Sequence, residues 1–325
     1  MLIGSLEFQD KALFLAPMED ITDAVYRKMI ARFGGTDLMY TEFISADGLI
    51  RNGRKSLEKL LIGSDVRPIA IQIYGHLTEP VVKAAKMAED AGADMIDLNF
   101  GCPVKKIANR GAGSGMLRNI PLMLEMTESV VKAVNKPVTV KTRLGWDDNS
   151  KIIDQIAPAL QNCGIKALTI HGRTRAQMYT GQADWTLIGE VKSNPQITIP
   201  VIGNGDVDSP ETASEYFGKY GVDAIMIGRA CVGRPWIFKH IRHFLNTGEM
   251  LPEPSLAEKV DIAREQLQLF IEDKDEWRGI IAMRRHFVHF FKGLQDFRET
   301  RTRLLRAVKQ DEIIDILQEI KERFS

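Results

Sequence analysis

The sequence is poor in cysteine, with three in 325 residues, at positions 102, 163 and 231. An odd number of widely separated thiols excludes a disulfide framework, offers no zinc-ligand pair, and fits a reducing compartment, the cytoplasm. No metal site is expected. No apolar run approaches the roughly 18 residues of a membrane span. The opening stretch, MLIGSLEF, lacks the basic segment and long apolar core of a signal peptide. Net charge is also missing, since 43 Lys and Arg balance 43 Asp and Glu. A nucleic-acid partner normally demands a basic excess, so this balance argues against one unless the charges are clustered. Apolar residues make up 44% and charged residues 26%, which excludes disorder and fibrous repeats.

Alternation is what the sequence does have. Eight short, almost continuously apolar runs read as buried parallel strands: Leu13–Ala16, Leu38–Glu42, Ile69–Tyr74, Met95–Asn99, Val138–Arg143, Ala167–His171, Val201–Asn204 and Ala224–Gly228. Amphipathic stretches separate them, the clearest at Asp23–Phe33, Glu79–Asp90, Pro121–Val134 and Pro210–Tyr220, with Thr22, Thr78 and Ser209 as capping residues. Eight such units predict an α/β fold, a (β/α)8 TIM barrel. A doubly wound sheet is the alternative, but it would normally carry GxGxxG where this chain reads APMED. The segment GEMLPEPS has two prolines and no periodicity and reads as a linker. Helical patterns without strands follow it. The expected division is a barrel over residues 1–250 and a small all-helical C-terminal domain over 251–325.

Barrel enzymes place their chemistry at the C-terminal ends of the strands. Those ends deliver Pro17 and Met18, Glu42, Gln72, Asn99, Lys141 with Arg143, His171 followed by Arg173 and Arg175, then Asn204-Gly205-Asp206, and Gly228-Arg229. The last two groups occupy the standard phosphate position of the fold, where glycines admit an anion and a helix start beside Arg229 would favour it. Lys141 would project into the barrel mouth, either to meet an anion or to pair with Glu42 or Asp97. Gln72 and Asn99 could bind the edge of a planar heterocycle or satisfy each other. Cys102 lies between Gly101 and Pro103 after a strand, and opens a glycine-rich basic loop that resembles a lid. A thiol of ordinary pKa, about 8.5, is mostly protonated at neutral pH and can serve as a general acid. Cys163 and Cys231 read as small buried hydrophobes.

These strings resemble the flavin-dependent tRNA-dihydrouridine synthases: APMEDITD, QIYG, DLNFGCPVKK with AGSGML after it, VKTRLGW, IHGRTR, VIGNGD and MIGRA. The resemblance runs through the whole barrel. It implies an FMN-binding barrel followed by a helical tRNA-binding domain, with NADPH (or NADH) as transient reductant and no membrane partner. Carried over by motif, Pro17, Met18, Glu19, Gln72, Lys141, His171, Asn204, Gly205, Asp206, Gly228 and Arg229 look like flavin contacts. Cys102 matches the family's catalytic acid, which protonates C5 of a uridine while hydride reaches C6. Asn99, Lys105, Lys106, Arg143, Arg173 and Arg175 are the expected substrate contacts on the rim. IHGRTRAQMYTG, GRPWIF and the helical tail resemble the bacterial B-type, whereas TEFI, RLGWDD and Asp184-Trp185 also resemble the C-type. The competing readings are an FMN-dependent dehydrogenase of a small pyrimidine and a non-catalytic tRNA binder. A monomer is expected.

The charge balance hides a cluster. Between Trp277 and Lys309 nine basic residues face two acidic ones. Arg278, Arg285, His289 and Lys292 share a helical face, Arg284 lies beside it, and Ile280, Phe287, Phe291 and Leu294 lie mostly on another. This stripe, Arg278, Arg284, Arg285 and Lys292, is the expected phosphate grip of the tail.

Overall fold

The computed structural model describes residues 1–62 and 67–324. Eight strands form its centre: β1 (Ala12–Leu15), β2 (Leu38–Tyr40), β3 (Ile69–Tyr74), β4 (Met95–Phe100), β5 (Val138–Arg143), β6 (Ala167–His171), β7 (Val201–Asn204) and β8 (Ala224–Ile227). Neighbours in the chain pair in parallel, and β8 pairs back onto β1. The ring is therefore a closed TIM barrel. The expected strand over residues 38–42 stops at Tyr40, and a two-residue strand, Ile44–Ser45, continues beside the end of β3.

Alternate side chains point inward. Phe14, Tyr40, Ala70, Met95, Ala167, Ile202 and Ala224 join one apolar cluster with Ile3 and Phe8. Ile3 comes from a short hairpin, Leu2–Ile3 against Leu6–Glu7, and Phe8 follows it, so the N-terminal segment helps to fill the floor. The Phe8 ring meets Phe14 edge-on at 5.3 Å. Burying a ring of this size contributes roughly 2–3 kcal/mol. With an apolar floor, polar residues can collect only toward the opposite rim.

Along the chain the strands alternate with α1 (Ala24–Phe33), α2 (Thr78–Asp90), α3 (Ile120–Ala133), α4 (Ile153–Asn162), α5 (Thr186–Ser193) and α6 (Pro210–Tyr220). Ser209 caps α6 as expected, accepting from the Thr212 amide at 3.1 Å, with Pro210 in the first turn. Thr78 does not cap its helix, whose N-cap is Leu77. The Thr22 hydroxyl sits in the turn after Met18, accepting from its amide, and Thr78 lies inside α2 with its hydroxyl on Glu125.

The chain divides into two compact units, residues 1–24 with 36–228, and residues 25–35 with 229–325. The break thus falls at Gly228 rather than at residue 250. The second unit takes α1 together with α7 (Ile237–Thr247), α8 (Leu256–Lys274), α9 (Glu276–Phe290), α10 (Arg298–Arg306) and α11 (Gln310–Arg323). The linker segment lies inside this unit, between α7 and α8. Ser255 and Glu258 form a capping box that starts α8. Val25, Trp236, Leu267, Met283, Phe287 and Leu317 belong to one hydrophobic core. Gly279 permits the α8–α9 approach, because a side-chain carbon there would lie 2.7 Å from the Ile271 amide nitrogen. Among the described residues no helix is long and apolar enough to cross a membrane.

Candidate active site

Strand register brings Gln72 beside Asp97, Asp97 beside Thr139, and Asn99 beside Lys141. The side chains form a continuous hydrogen-bonded relay. Asp97 accepts from Thr139 Oγ1 and from Gln72 Nε2, each at 2.6 Å. Gln72 Oε1 accepts from Asn99 Nδ2 at 2.7 Å, and Asn99 Oδ1 accepts from the amides of Gly101 (3.0 Å) and Cys102 (2.8 Å). Gln72 and Asn99 therefore do satisfy each other, while each keeps unused hydrogen-bonding capacity. Asp97 is wholly buried, and burial raises its pKa to about 6 although Gln72, Thr139 and Lys141 oppose the shift. This residue was in view only as a possible partner of Lys141. Its signal was an acid inside an otherwise apolar strand, MIDLNF.

Lys141 pairs with neither Glu42 nor Asp97. Its ammonium donates to Asn204 Oδ1 at 3.0 Å, and burial, helped by Arg143, lowers its pKa to about 8. Asn204 in turn donates to the Met226 carbonyl at 2.7 Å. Glu42 instead accepts from the Asp20 amide and lies 3.3 Å from Lys59, which also holds exposed Glu19 at 2.6 Å.

Cys102 is buried, and burial pushes its thiol above the ordinary value while the Val104 amide, Arg143 and Lys141 pull it down. At neutral pH it carries its proton. Its carbonyl accepts from Ser114 Oγ at 2.7 Å. The glycine-rich loop after it is not an open flap. It forms two short turns, Lys105–Ala108 and Gly113–Arg118, packed so closely that a side-chain carbon on Gly115 would meet the Ala108 carbonyl oxygen at 2.3 Å. Gly113 needs its positive φ of 55°, and a side-chain carbon there would lie 3.0 Å from the Cys102 carbonyl oxygen. Lys105 and Lys106 are exposed on the first turn. Cys163 is only partly buried, with its thiol near the Ala159 and Leu124 carbonyls, whereas Cys231 is fully buried.

At the other side of the rim Gly228 faces Met18, whose sulfur would lie 3.6 Å from a side-chain carbon at 228, and Pro17 is half-buried beside it. Gly205 (φ 123°) lies against the buried His171 ring, 3.0 Å from Cδ2 to a side-chain carbon placed there. Arg229 is exposed and opens a three-residue 3-10 turn, Arg229–Cys231, not the helix expected there.

Three rim residues are engaged within the protein. Arg143 is 2% exposed and donates to the carbonyls of Gly101, Thr174 and Met178 at 2.7–2.9 Å. Arg173, also 2% exposed, grips both oxygens of Asp206 at 2.9 and 2.6 Å and reaches the Thr180 carbonyl at 3.1 Å. Asp206 also accepts from the Ala183 amide at 2.8 Å. Arg143 and Arg173 thus brace loops of the rim, and Asp206 anchors one of them. Arg175 is half-buried, its guanidinium 4.4 Å from the Trp146 ring centre.

In the second unit Ile280, Phe287 and Phe291 enter the core as expected. Arg278 is exposed and bound to Asp275 at 2.6 Å. Arg284 is half-buried and donates to the Ala307 carbonyl at 3.0 Å. Arg285 is half-buried, and Lys292 is exposed just past the end of α9.

A family model described as dihydrouridine synthase (Dus) matches residues 14–325. A probable tRNA-dihydrouridine synthase of Rickettsia prowazekii is 40% identical over 300 residues, 92% of this chain and 90% of that one. A tRNA-dihydrouridine synthase B of Pseudomonas aeruginosa is 40% identical over 299 residues, 92% of this chain and 89% of that one. Among solved structures, a morphinone reductase in complex with tetrahydroNAD aligns with TM-score 0.54 and 14% identity over 79% of this chain and 92% of that one, a likeness of fold. The relay ending at Cys102, the closed barrel and the match across both units agree: the chain belongs to the dihydrouridine synthase family, among its B-type members.

Proposed function

We propose that the chain is a tRNA-dihydrouridine synthase that uses FMN, with NADPH as reductant. The observation that carries this reading is buried Cys102, its backbone amide held by Asn99 on the same rim as Lys141. The donor set fits a flavin. Amides at Gln72 and Asn99 retain capacity for a heterocycle edge, Lys141 supplies a cation where burial makes an anion welcome, and the glycine ends of β7 and β8 leave room for a phosphate. When bound, FMN supplies the hydride that reaches C6 of the uridine. The chain's own part is to orient and to move one proton. Cys102 gives its proton to C5, and Asn99, through the Cys102 amide, fixes where that thiol stands. Lys141 would hold the pyrimidine edge of the cofactor, where its cation would balance negative charge. Pro17, Met18, His171, Asn204, Gly205, Gly228 and Arg229 complete the cofactor site. Extracting the uridine from its stack costs a few kcal/mol, which cations on Lys105, Lys106, Arg175 and the second unit offset by holding tRNA phosphates. The enzyme works as a cytoplasmic monomer.

The test is to supply the purified chain, FMN and NADPH with tRNA lacking dihydrouridine, and to map the modified positions. Dihydrouridine at a defined site is expected. Efficient reduction of free uridine would replace the substrate, and a protein that takes up no FMN would overturn the reading.

A further inference from the structure

Two features of the barrel rim have no part in the chemistry above. The first is Tyr179, half exposed on the turn after β6, with the Arg143 guanidinium 5.6 Å from its ring centre. The second is Trp146, on the turn after β5, with Arg118 at 4.3 Å and Arg175 at 4.4 Å from its ring. Those distances place the two guanidinium carbons no more than about 9 Å apart, by the geometry of the shared ring, and like charges that close repel. Neither arginine has a carboxylate partner among the described residues, and the buried Nε of Arg175 has no acceptor. The indole holds both cations in place. The two cations form a paired positive site on the rim.

Arg143 ties both features to the reactive thiol. One of its guanidinium nitrogens holds the Thr174 and Met178 carbonyls, which bracket Arg175 and precede Tyr179, and its Nε holds the Gly101 carbonyl, next to Cys102. A buried side chain with so many fixed partners makes the loop a rigid platform. An exposed ring and a pair of guanidinium groups on one braced rim supply what a single unpaired nucleotide requires: an aromatic face for the base and charge-assisted donors for the phosphate.

We propose that Tyr179, Arg118 and Arg175 form a subsite for one nucleotide flanking the target uridine, the base stacking on Tyr179 and its phosphate lying against the two arginines. This subsite rests on the RNA-modifying reading given above and adds to it a place for the neighbouring residue. It would help keep the target extruded, because a neighbour stacked on the protein cannot restack on the uridine.

The test uses the FMN-loaded full chain with Tyr179→Leu, Tyr179→Phe and Arg118→Ala/Arg175→Ala. Tyr179→Leu is expected to raise the KM for tRNA about tenfold, in line with the value of one base stack. Tyr179→Phe should match the wild type, since stacking needs no hydroxyl. The double arginine variant should weaken tRNA binding and lower its salt dependence by about two phosphate contacts. None of these should alter reduction of the bound flavin by NADPH. An unchanged KM in Tyr179→Leu, or a Tyr179→Phe as poor as Tyr179→Leu, overturns the stacking site. An unchanged salt slope overturns the phosphate contacts. Filter binding to tRNA without NADPH is measured alongside. A wild type that binds but does not turn over would sink the assigned reaction, while the affinities still decide the subsite.

Discussion

Each unit of the molecule buries an amide and a titratable side chain completely, and they treat them in opposite ways. In the barrel, Gln72 and Asp97 are wholly buried, and both are joined into the relay that ends at Cys102. In the helical unit, Gln266 and His286 are equally buried, yet among the described residues neither nitrogen of His286 nor either polar atom of Gln266 has a hydrogen-bond partner. An unmade hydrogen bond in a dry interior costs about 1–3 kcal/mol. The relay avoids that cost because the task of its polar groups fixes their partners. The helical unit carries the cost inside a core of Leu267, Phe270, Met283 and Phe287. Polar burial therefore marks chemistry in this protein only where the groups are connected.

The comparison breaks first at the end of the relay. Cys102→Ala should keep bound flavin and its reduction by NADPH but lose at least a hundredfold in dihydrouridine formation, the usual share of a general acid. Normal turnover in that variant would assign the proton to another group. One step inward, Asp97→Asn keeps the shape and removes an acceptor. Asp97 as a carboxylate only accepts, so Gln72 must turn Nε2 toward it and Oε1 toward Asn99. An amide at 97 must point a donor at Thr139 or Gln72, and the disturbance passes to the Cys102 amide. The expected loss is about 2 kcal/mol of stability and about tenfold in turnover. Urea unfolding and single-turnover rates measure the two, and a variant with unchanged values for both would make the relay incidental.

How much of this was legible in the sequence follows from what a sequence displays. Strands β3 to β7 could be read within a residue because buried parallel strands are apolar throughout. Cys102 stood out because Gly101 and Pro103 isolate it. The relay was not legible, because it depends on register across three strands, and Asp97 looked like an isolated acid. Arg143 and Arg173 were read as open cations because a sequence shows a charge but not the carbonyls around it. For the same reason the division into compact units was not legible. The linker composition at residues 248–255 is visible, whereas the association of α1 with α7 to α11 depends on packing far apart in the chain.

Acid sharpens the comparison, because the two buried titratable groups respond with opposite sign. Burial, aided by Arg285 and His289, lowers the His286 pKa to about 3, so the helical unit excludes the proton. A group depressed on folding is fully favourable above its unfolded pKa, near 6.5, and its contribution is lost as pH falls toward 3. At pH 5 the loss is about 2 kcal/mol. Asp97 is raised to about 6, so its burial is relieved as pH falls from 6 toward 4. Replacing His286 with Phe removes the titration and leaves an aromatic ring between Tyr26 and Phe270, whose rings lie 4.7 and 5.5 Å away. The variant should unfold at higher urea than the wild type at pH 5, with a much smaller difference at pH 7.5. An equal difference at both values would mean that His286 is not the titrating group.

The smallest effect concerns charge, and it asks whether the basic stretch of the helical unit is a grip or a paired surface. Arg278 is bound to Asp275 and Arg303 to Glu319 at 2.6 and 2.8 Å. Lys292 and Arg301 are exposed, have no acid partner among the described residues, and both help hold the His289 pKa down after burial. A cation already neutralised has fewer counterions to exchange for a phosphate, whereas an unneutralised pair releases its own when RNA binds. Lys292→Ala/Arg301→Ala should therefore lower the slope of log affinity against log salt by about 2, with a few-fold loss of affinity at physiological salt. Arg278→Ala/Arg303→Ala should change the slope much less, although it removes the same formal charge. Equal slopes for the two double variants would show that net charge alone governs binding. Unequal slopes would show that a chain with no net charge grips RNA through the few cations its own acids leave uncovered.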